Sequence, residues 1–346
     1  MSNLQIGLAV AGGLVLAGIV AHGAWTSRKS LPRQPAPEPD SPATGGGDNE
    51  PFFADTDSLG TDLSLPTPPR KPGMDPLIDV IATLTLDPAT PLVSGDAAIA
   101  ALPSTRRAGT KPFAVEGYNL ADQVWETPVA SQRYGGFQAG VQLANRTGAL
   151  NEIEYSEFVV KTQAFADAIN ATPDFPEMRD EVARARELDQ FASTHDAQLG
   201  FTIRARNASW SPGYVHQHAA RLGFVAGVVP GRMVLPASYE GLPPLLVLLF
   251  DSQAALAEDP ELSAIRELSL HLDVAQVDRA ERPFERMRDA AFAMAKGMDG
   301  VVTDDNGQVL EARTMAVIES ELQTLYDTLE QRDLAAGSPL ARRLFS

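Results

Sequence analysis

The spacing of hydrophobic positions divides the chain into three stretches. From Leu4 to Trp25 there is no Asp, Glu, Lys or Arg, a run of 22 residues. A helix that spans a bilayer needs about 20 such residues. Trp25 ends the run where an interfacial aromatic belongs, and Arg28, Lys29 and Arg33 follow. The pattern predicts a transmembrane anchor over residues 1–25, with His22, Trp25, Arg28 and Lys29 at the membrane interface. Ala21-His22-Gly23 would serve as a small-x-small cleavage site, but Met1-Ser2-Asn3 lacks the positive charge that opens a secretory signal. The cations lie after the apolar run, which predicts an outside N-terminus and a cytoplasmic C-terminal bulk. Ala9, Gly13, Ala17 and Ala21 recur every fourth residue, readable as a small-residue seam through which two such helices would associate or as the ordinary abundance of Gly and Ala in membrane helices.

Periodicity then disappears. Residues 26–73 are rich in Pro, Gly and acids, as in "LPRQPAPEPDSPATGGG" and "LPTPPRKPG". This composition predicts a disordered linker with a mean reach of roughly 35–42 Å. Pro51-Phe52-Phe53 is its one apolar cluster of note, readable as a short docking motif or as a stray pair.

Regular alternation begins at Pro76. Ile78, Val80, Leu84 and Leu86 share one side of a strand, and "VSGDAAIAALP" follows as a short helix closed by Pro103. Strands are predicted near 113–118 and 137–145, and a helix over 154–170 with Phe158, Thr162, Phe165 and Ile169 on one face. Pro176 opens a second helix, to about His195. A similar cycle then repeats: a strand through Leu199, Phe201 and Ile203, a helix opened by Pro212, strands at 233–235, 245–250 and 268–274, a helix over 284–298 and a strand at 301–303. Asn306-Gly307 reads as a tight hairpin turn and Thr314 as the cap of a last helix to about Arg332. The rhythm is that of split βαβ antiparallel sheets packed on helices, an α+β fold with two related units. The expected units are 74–198 (a possible diverged repeat), 199–332 and a flexible tail at 333–346. "FASTHDAQLGFTI" and "FAMAKGMDGVVTD" echo each other weakly across the two cycles.

The run Leu245–Phe250 is apolar at every position, which implies that both faces of that strand are covered. The first unit or a partner peptide in a groove would supply the second cover. Groove candidates from this run are Leu246, Leu248 and Phe250, with Met233 from the preceding strand.

Composition narrows the function. The net charge of −17 opposes contact with phosphate backbones, so no nucleic-acid partner is expected. Without cysteine there is no thiolate metal site and no Cys nucleophile. His216 and His218 are two apart on a helix and point to different sides, unlike paired ligands at i, i+4. "TDDNGQ" lacks the ladder of a calcium loop, and no P-loop, dinucleotide fingerprint or G-x-S-x-G elbow occurs. "RYGGFQAG" has the wrong order of charge, glycine and aromatic for an RNA-recognition strand. The residues alone describe a non-enzymatic binding module without cofactors.

The run His22-Gly23-x-Trp25-Thr26-Ser27-Arg28-Lys29 at the end of the span resembles the ZipA family of bacterial cell-division proteins. So do "DGVVTDDNGQV" (299–309) with the helix from Thr314, "RLGFVAG" (221–227) and the strand at 268–274. The resemblance covers Leu4–Lys29 and roughly Leu199–Leu329, in the family's order of anchor, Pro-rich tether and head. It implies a division protein of the inner membrane at the septum whose head binds the C-terminal tail of FtsZ in a shallow apolar groove on the open sheet face; the family's strands, laid on this chain, imply that Ser269 and His271 lie on that face. Tethered this way, the chain would hold and stabilise the Z-ring. The same architecture would also suit an adaptor for a different division or envelope partner.

Overall fold

The computed structural model of the chain describes residues 32–35, 73–259 and 262–346. The expected anchor, its small-residue seam, Pro51-Phe52-Phe53 and most of the linker lie outside the described residues. Among the described residues no helix is long and apolar enough to cross a membrane.

The first half contains β1 (Asp79–Leu86), β2 (Val93–Ser94), α1 (Gly95–Ala101), β3 (Arg107–Ala108), β4 (Lys111–Asn119), β5 (Val124–Glu126) and β6 (Arg133–Gln142). A small hairpin of β7 (Ala144–Asn145) and β8 (Gly148–Ala149) leads to α2 (Glu152–Ala168), β9 (Ala171–Asp174) and α3 (Met178–His195). The second half contains β10 (Gln198–Ala205), α4 (Pro212–Ala220), β11 (Val225–Ala226), β12 (Arg232–Leu235), β13 (Leu246–Leu249), α5 (Ser252–Ala255), β14 (Glu267–Asp273), α6 (Pro283–Met298), β15 (Gly300–Thr303), α7 (Ala312–Glu330) and α8 (Pro339–Leu344). The main sheets are antiparallel, and the fold is α+β.

Local chemistry sets these elements. In β1, Val80, Ala82, Leu84 and Leu86 are buried while Thr83 and Thr85 face outward, the period-2 pattern of a half-buried strand. Asn151 opens α2 with a reciprocal capping box to Glu154. Ser211 caps α4 and Pro212 fills its first turn, where a missing N–H costs nothing.

The halves share a strand order. The first sheet runs β3-β4-β6-β1-β9 and the second β11-β12-β13-β14-β10-β15. In each, the opening strand (β1 or β10) lies between two antiparallel neighbours joined by a crossover helix: β6-α2-β9 in one half, β14-α6-β15 in the other. That is the split βαβ arrangement, built twice.

Three expectations are corrected. Thr314 is not a cap: α7 begins at Ala312 after Glu311, which makes no side-chain cap bond. The N–H of Leu310 still donates to Val302 O, so the chain turns into a helix as soon as it leaves the sheet. Residues 333–346 are not a flexible tail. Leu334, Ala341, Leu344 and Phe345 are buried, the Arg343 guanidinium pairs with the buried Asp79, and Gln142 and Gln276 donate to the carbonyls of Arg343 and Phe345. The α8 segment thus sits against β1 and β6 of the first half and the turn after β14 in the second. Arg146 adds a second link, pairing at 2.6 Å with Asp196 and at 2.7 Å with Asp273. Finally, Pro32–Pro35 is not part of a free linker, because Arg33 forms a parallel β-bridge with Trp210.

Candidate functional site

The site follows from the register of the second sheet. Val247 pairs with both Val234 and His271, and Leu249 with Arg232 and Ser269. His271 and Ser269 pair in turn with Gly200 and Thr202 on β10. Partners across a sheet point to the same face. One face therefore carries Val234, Val247, Leu249, Ser269, His271, Gly200 and Thr202. The opposite face carries Met233, Leu246, Leu248, Leu268, Leu270, Phe201 and Ile203, all buried in the core.

This parity sorts the predicted groove residues. Ser269 and His271 lie on the open face, His271 exposed and Ser269 half-buried. Leu246, Leu248 and Met233 point the other way, at no more than 2% exposure, and Phe250 is buried beyond the strand end. The open face is lined instead by Val247, half-buried, and Leu249, 37% exposed. An unbroken apolar run has no period-2 signal, so only the pairing register reveals which set faces out. Nor is the outer face sealed by the first half.

Against this face lies a groove of about 440 Å³, bordered by Val247, Leu249, Pro243, Pro244, Arg232 and His271. It continues to Gln198 and Asp273 at the end of β10 and β14 nearest the first half. Its walls are apolar with charge at the margins, a shape that holds an extended or helical peptide by buried side chains rather than a reacting small molecule. Pro243 and Pro244 stiffen the rim and present no backbone N–H there.

Other chemistry lies elsewhere. His216 rests 5.7 Å from the Phe250 ring and His218 4.5 Å from Tyr214. Burial pulls both imidazoles below their ordinary range, and for His218 the cations Arg221 and Arg33 add to it. Among the described residues no group of three or more His, Asp or Glu side chains is placed to hold a metal.

Comparison with known proteins falls on this half. Residues 257–321 match the family model of the ZipA C-terminal FtsZ-binding domain. The matched stretch holds β14, α6 and β15, and so includes Ser269 and His271, whereas Val247 and Leu249 precede it. The ZipA match supports an FtsZ-binding role in cell division, carried by a protein-binding domain. No curated protein matches the chain. Among solved structures, a variant of berberine bridge enzyme in complex with (S)-reticuline is 10% identical at a TM-score of 0.16. The alignment covers 78% of this chain and 54% of that one, and the likeness carries no argument.

Proposed function

We propose that this chain is a membrane-anchored, non-enzymatic division protein that binds the C-terminal tail of FtsZ on the open face of its second sheet and holds the Z-ring at the inner membrane. The observation that carries the reading is the half-buried Val247 and exposed Leu249 at the edge of the groove, adjoining the ZipA-type stretch that supplies His271 and Ser269. Exposed apolar side chains beside a concavity stabilise a bound peptide by about 25 cal/mol for each Å² they remove from water. The anchor rests on the uncharged run Leu4–Trp25 and the cations after it. The first sheet does not cover the groove, which favours direct peptide recognition over the adaptor alternative.

The test is titration of a labelled C-terminal FtsZ peptide from the same organism into the full chain in detergent or nanodiscs. Saturable binding that Leu249→Glu weakens at least tenfold supports the reading. Absence of binding by the well-folded chain would sink tail recognition and leave the adaptor role.

A further inference from the structure

Residues 32–35 follow the expected anchor closely and lie within the Pro-rich region, yet they are docked. Pro32 is buried. The Arg33 N–H donates to Ser209 O at 2.7 Å, and the Ser211 N–H donates to Arg33 O at 2.9 Å. Trp210, bridged to Arg33 on one side, is bridged antiparallel to Ile265 on the other, so Arg33 is the outer rung of a short three-segment ladder. Trp210 is fully buried, and its indole N–H donates to Met298 O at 2.7 Å. The Arg33 guanidinium meets the same helix end: Nη1 donates to Met298 O at 3.1 Å and Nη2 to Asp299 Oδ2 at 2.7 Å. Asp299 closes α6 in the left-handed conformation, at φ 57°, and also accepts from Asn207 Nδ2 at 3.1 Å. Arg33 thus brings a cation to the negative end of a long helix, where it is favoured. Two backbone bonds, a buried proline and a bidentate cation make this a built contact.

We infer that Arg33 straps the head to the membrane-proximal stretch of chain, so that the head is held close to the bilayer with its peptide groove turned away from it. The inference rests on the anchor reading. From Trp25 to Pro32 is seven residues, which fully extended span about 25 Å at most. A free linker over the whole of residues 26–73 would instead reach roughly 35–42 Å on average and leave orientation open. The strap docks beyond Ala205, at the end of β10 opposite Gln198 and the groove mouth. At about 3.3 Å per residue, β10 separates the two ends by about 23 Å. The chain leaves the head at Pro35 and returns to it at Gly73, where Met74 N–H donates to Glu116. Ala36–Pro72 therefore joins two points of one body and adds nothing to the distance between head and membrane.

The chain lacks cysteine, so single introduced cysteines report cleanly. A donor dye is placed in the full-length protein at Arg206→Cys, beside the strap, or at Glu240→Cys, in the loop between β12 and β13 near the groove. The protein is reconstituted in vesicles with acceptor lipid. The strap requires stronger transfer from position 206 than from 240, and Arg33→Glu should erase the difference. Equal transfer from both, or a difference untouched by Arg33→Glu, overturns it. Hydrogen exchange on the same full chain in detergent gives an independent readout. The amide of Arg33 should exchange at least tenfold more slowly than those of residues 26–31, and Arg33→Glu should abolish that protection. Vesicles that float without the protein would instead refute the anchor, while the exchange result would still decide the docking.

Discussion

Outward-facing rows of the two sheets can be compared position by position. In the first sheet one row reads Asp174, Thr83, Gln138 and Glu116 across β9, β1, β6 and β4. Beside it Ile81 pairs with Gly140, over which the Met74 side chain lies, so that a Cβ at Gly140 would collide with its sulfur. In the second sheet the rows read Val225, Val234, Val247, His271, Gly200 and Arg232, Leu249, Ser269, Thr202. Strand order and crossover are common to both, yet one face is polar and partly roofed by its own chain while the other ends in an apolar edge beside a groove. A backbone plan repeated twice does not repeat a binding site. Alternate residues on two or three strands decide that, and they are free to differ because they carry little of the core.

The largest expected effect tests whether the halves are separable at all. Phe345 is fully buried at the end of α8, where that helix joins the first sheet to the turn after β14, and Phe345→Ala should cost about 3–5 kcal/mol. The melt should shift downward as a single transition; two resolved transitions would show that the halves fold independently. Next, Leu249→Glu should weaken FtsZ-peptide binding at least tenfold, about 1.4 kcal/mol or more, with little change in melting temperature. The matching change on the polar face, Thr83→Glu, should leave binding intact; equal losses would erase the distinction between the faces.

A smaller effect is expected at the electrostatic link between the halves. Aspartates 196 and 273 hold the Arg146 guanidinium firmly protonated by their hydrogen bonds, against the opposing cost of burial. The pair geometry is good but partly solvent-screened, so Arg146→Ala should cost about 1 kcal/mol, less at high salt, measured by denaturant unfolding. The smallest effect concerns Asp299. Its hydrogen bond from Asn207 and the nearby Arg33 cation hold its carboxyl below the usual aspartate range. A depressed carboxyl contributes stability above its unfolded value and loses it as pH falls through the folded one. Protection of the Arg33 amide should therefore hold at neutral pH and decline only in acid below the usual aspartate range, and Asp299→Asn should flatten that dependence.

Much of the architecture was legible in the sequence because it is written locally. The alternation of β1, β10 and β14 and the apolar face of α2 need only period 2 or 3.6, and Pro212 marks the first turn of α4 by chemistry of its own. What escaped depends on contacts far away in the chain. The four residues of β9 include a proline and an aspartate and pair only because β1 leaves an edge for them. Ala341, Leu344 and Phe345 read as a tail because two arginines interrupt them, and their burial requires partners from both halves of the chain. Arg33 carries no local sign of its docking; its partners lie at residues 209–211 and 298–299. The site was half legible for the same reason. Ser269 and His271 sit in an alternating strand, whereas Leu246 to Leu249 alternates nowhere and its facing is set by its neighbours. The echo between "FASTHDAQLGFTI" and "FAMAKGMDGVVTD" joins α3-β10 to α6-β15, which occupy different places in the repeated plan. It reflects a shared way of leaving a helix for a strand.

The bond between Asp79 and Arg343 has a consequence for synthesis. The partners are 264 residues apart, so β1 emerges from the ribosome long before the cation that neutralises its buried carboxylate. Contacts this distant form late and slow the final stage of folding. The first sheet should consequently remain loosely closed, with Asp79 still hydrated, while the second is translated. Maturation of the nascent head then ends with the seating of α8, and a ribosome stalled before residue 339 should display a first half that proteases cut readily.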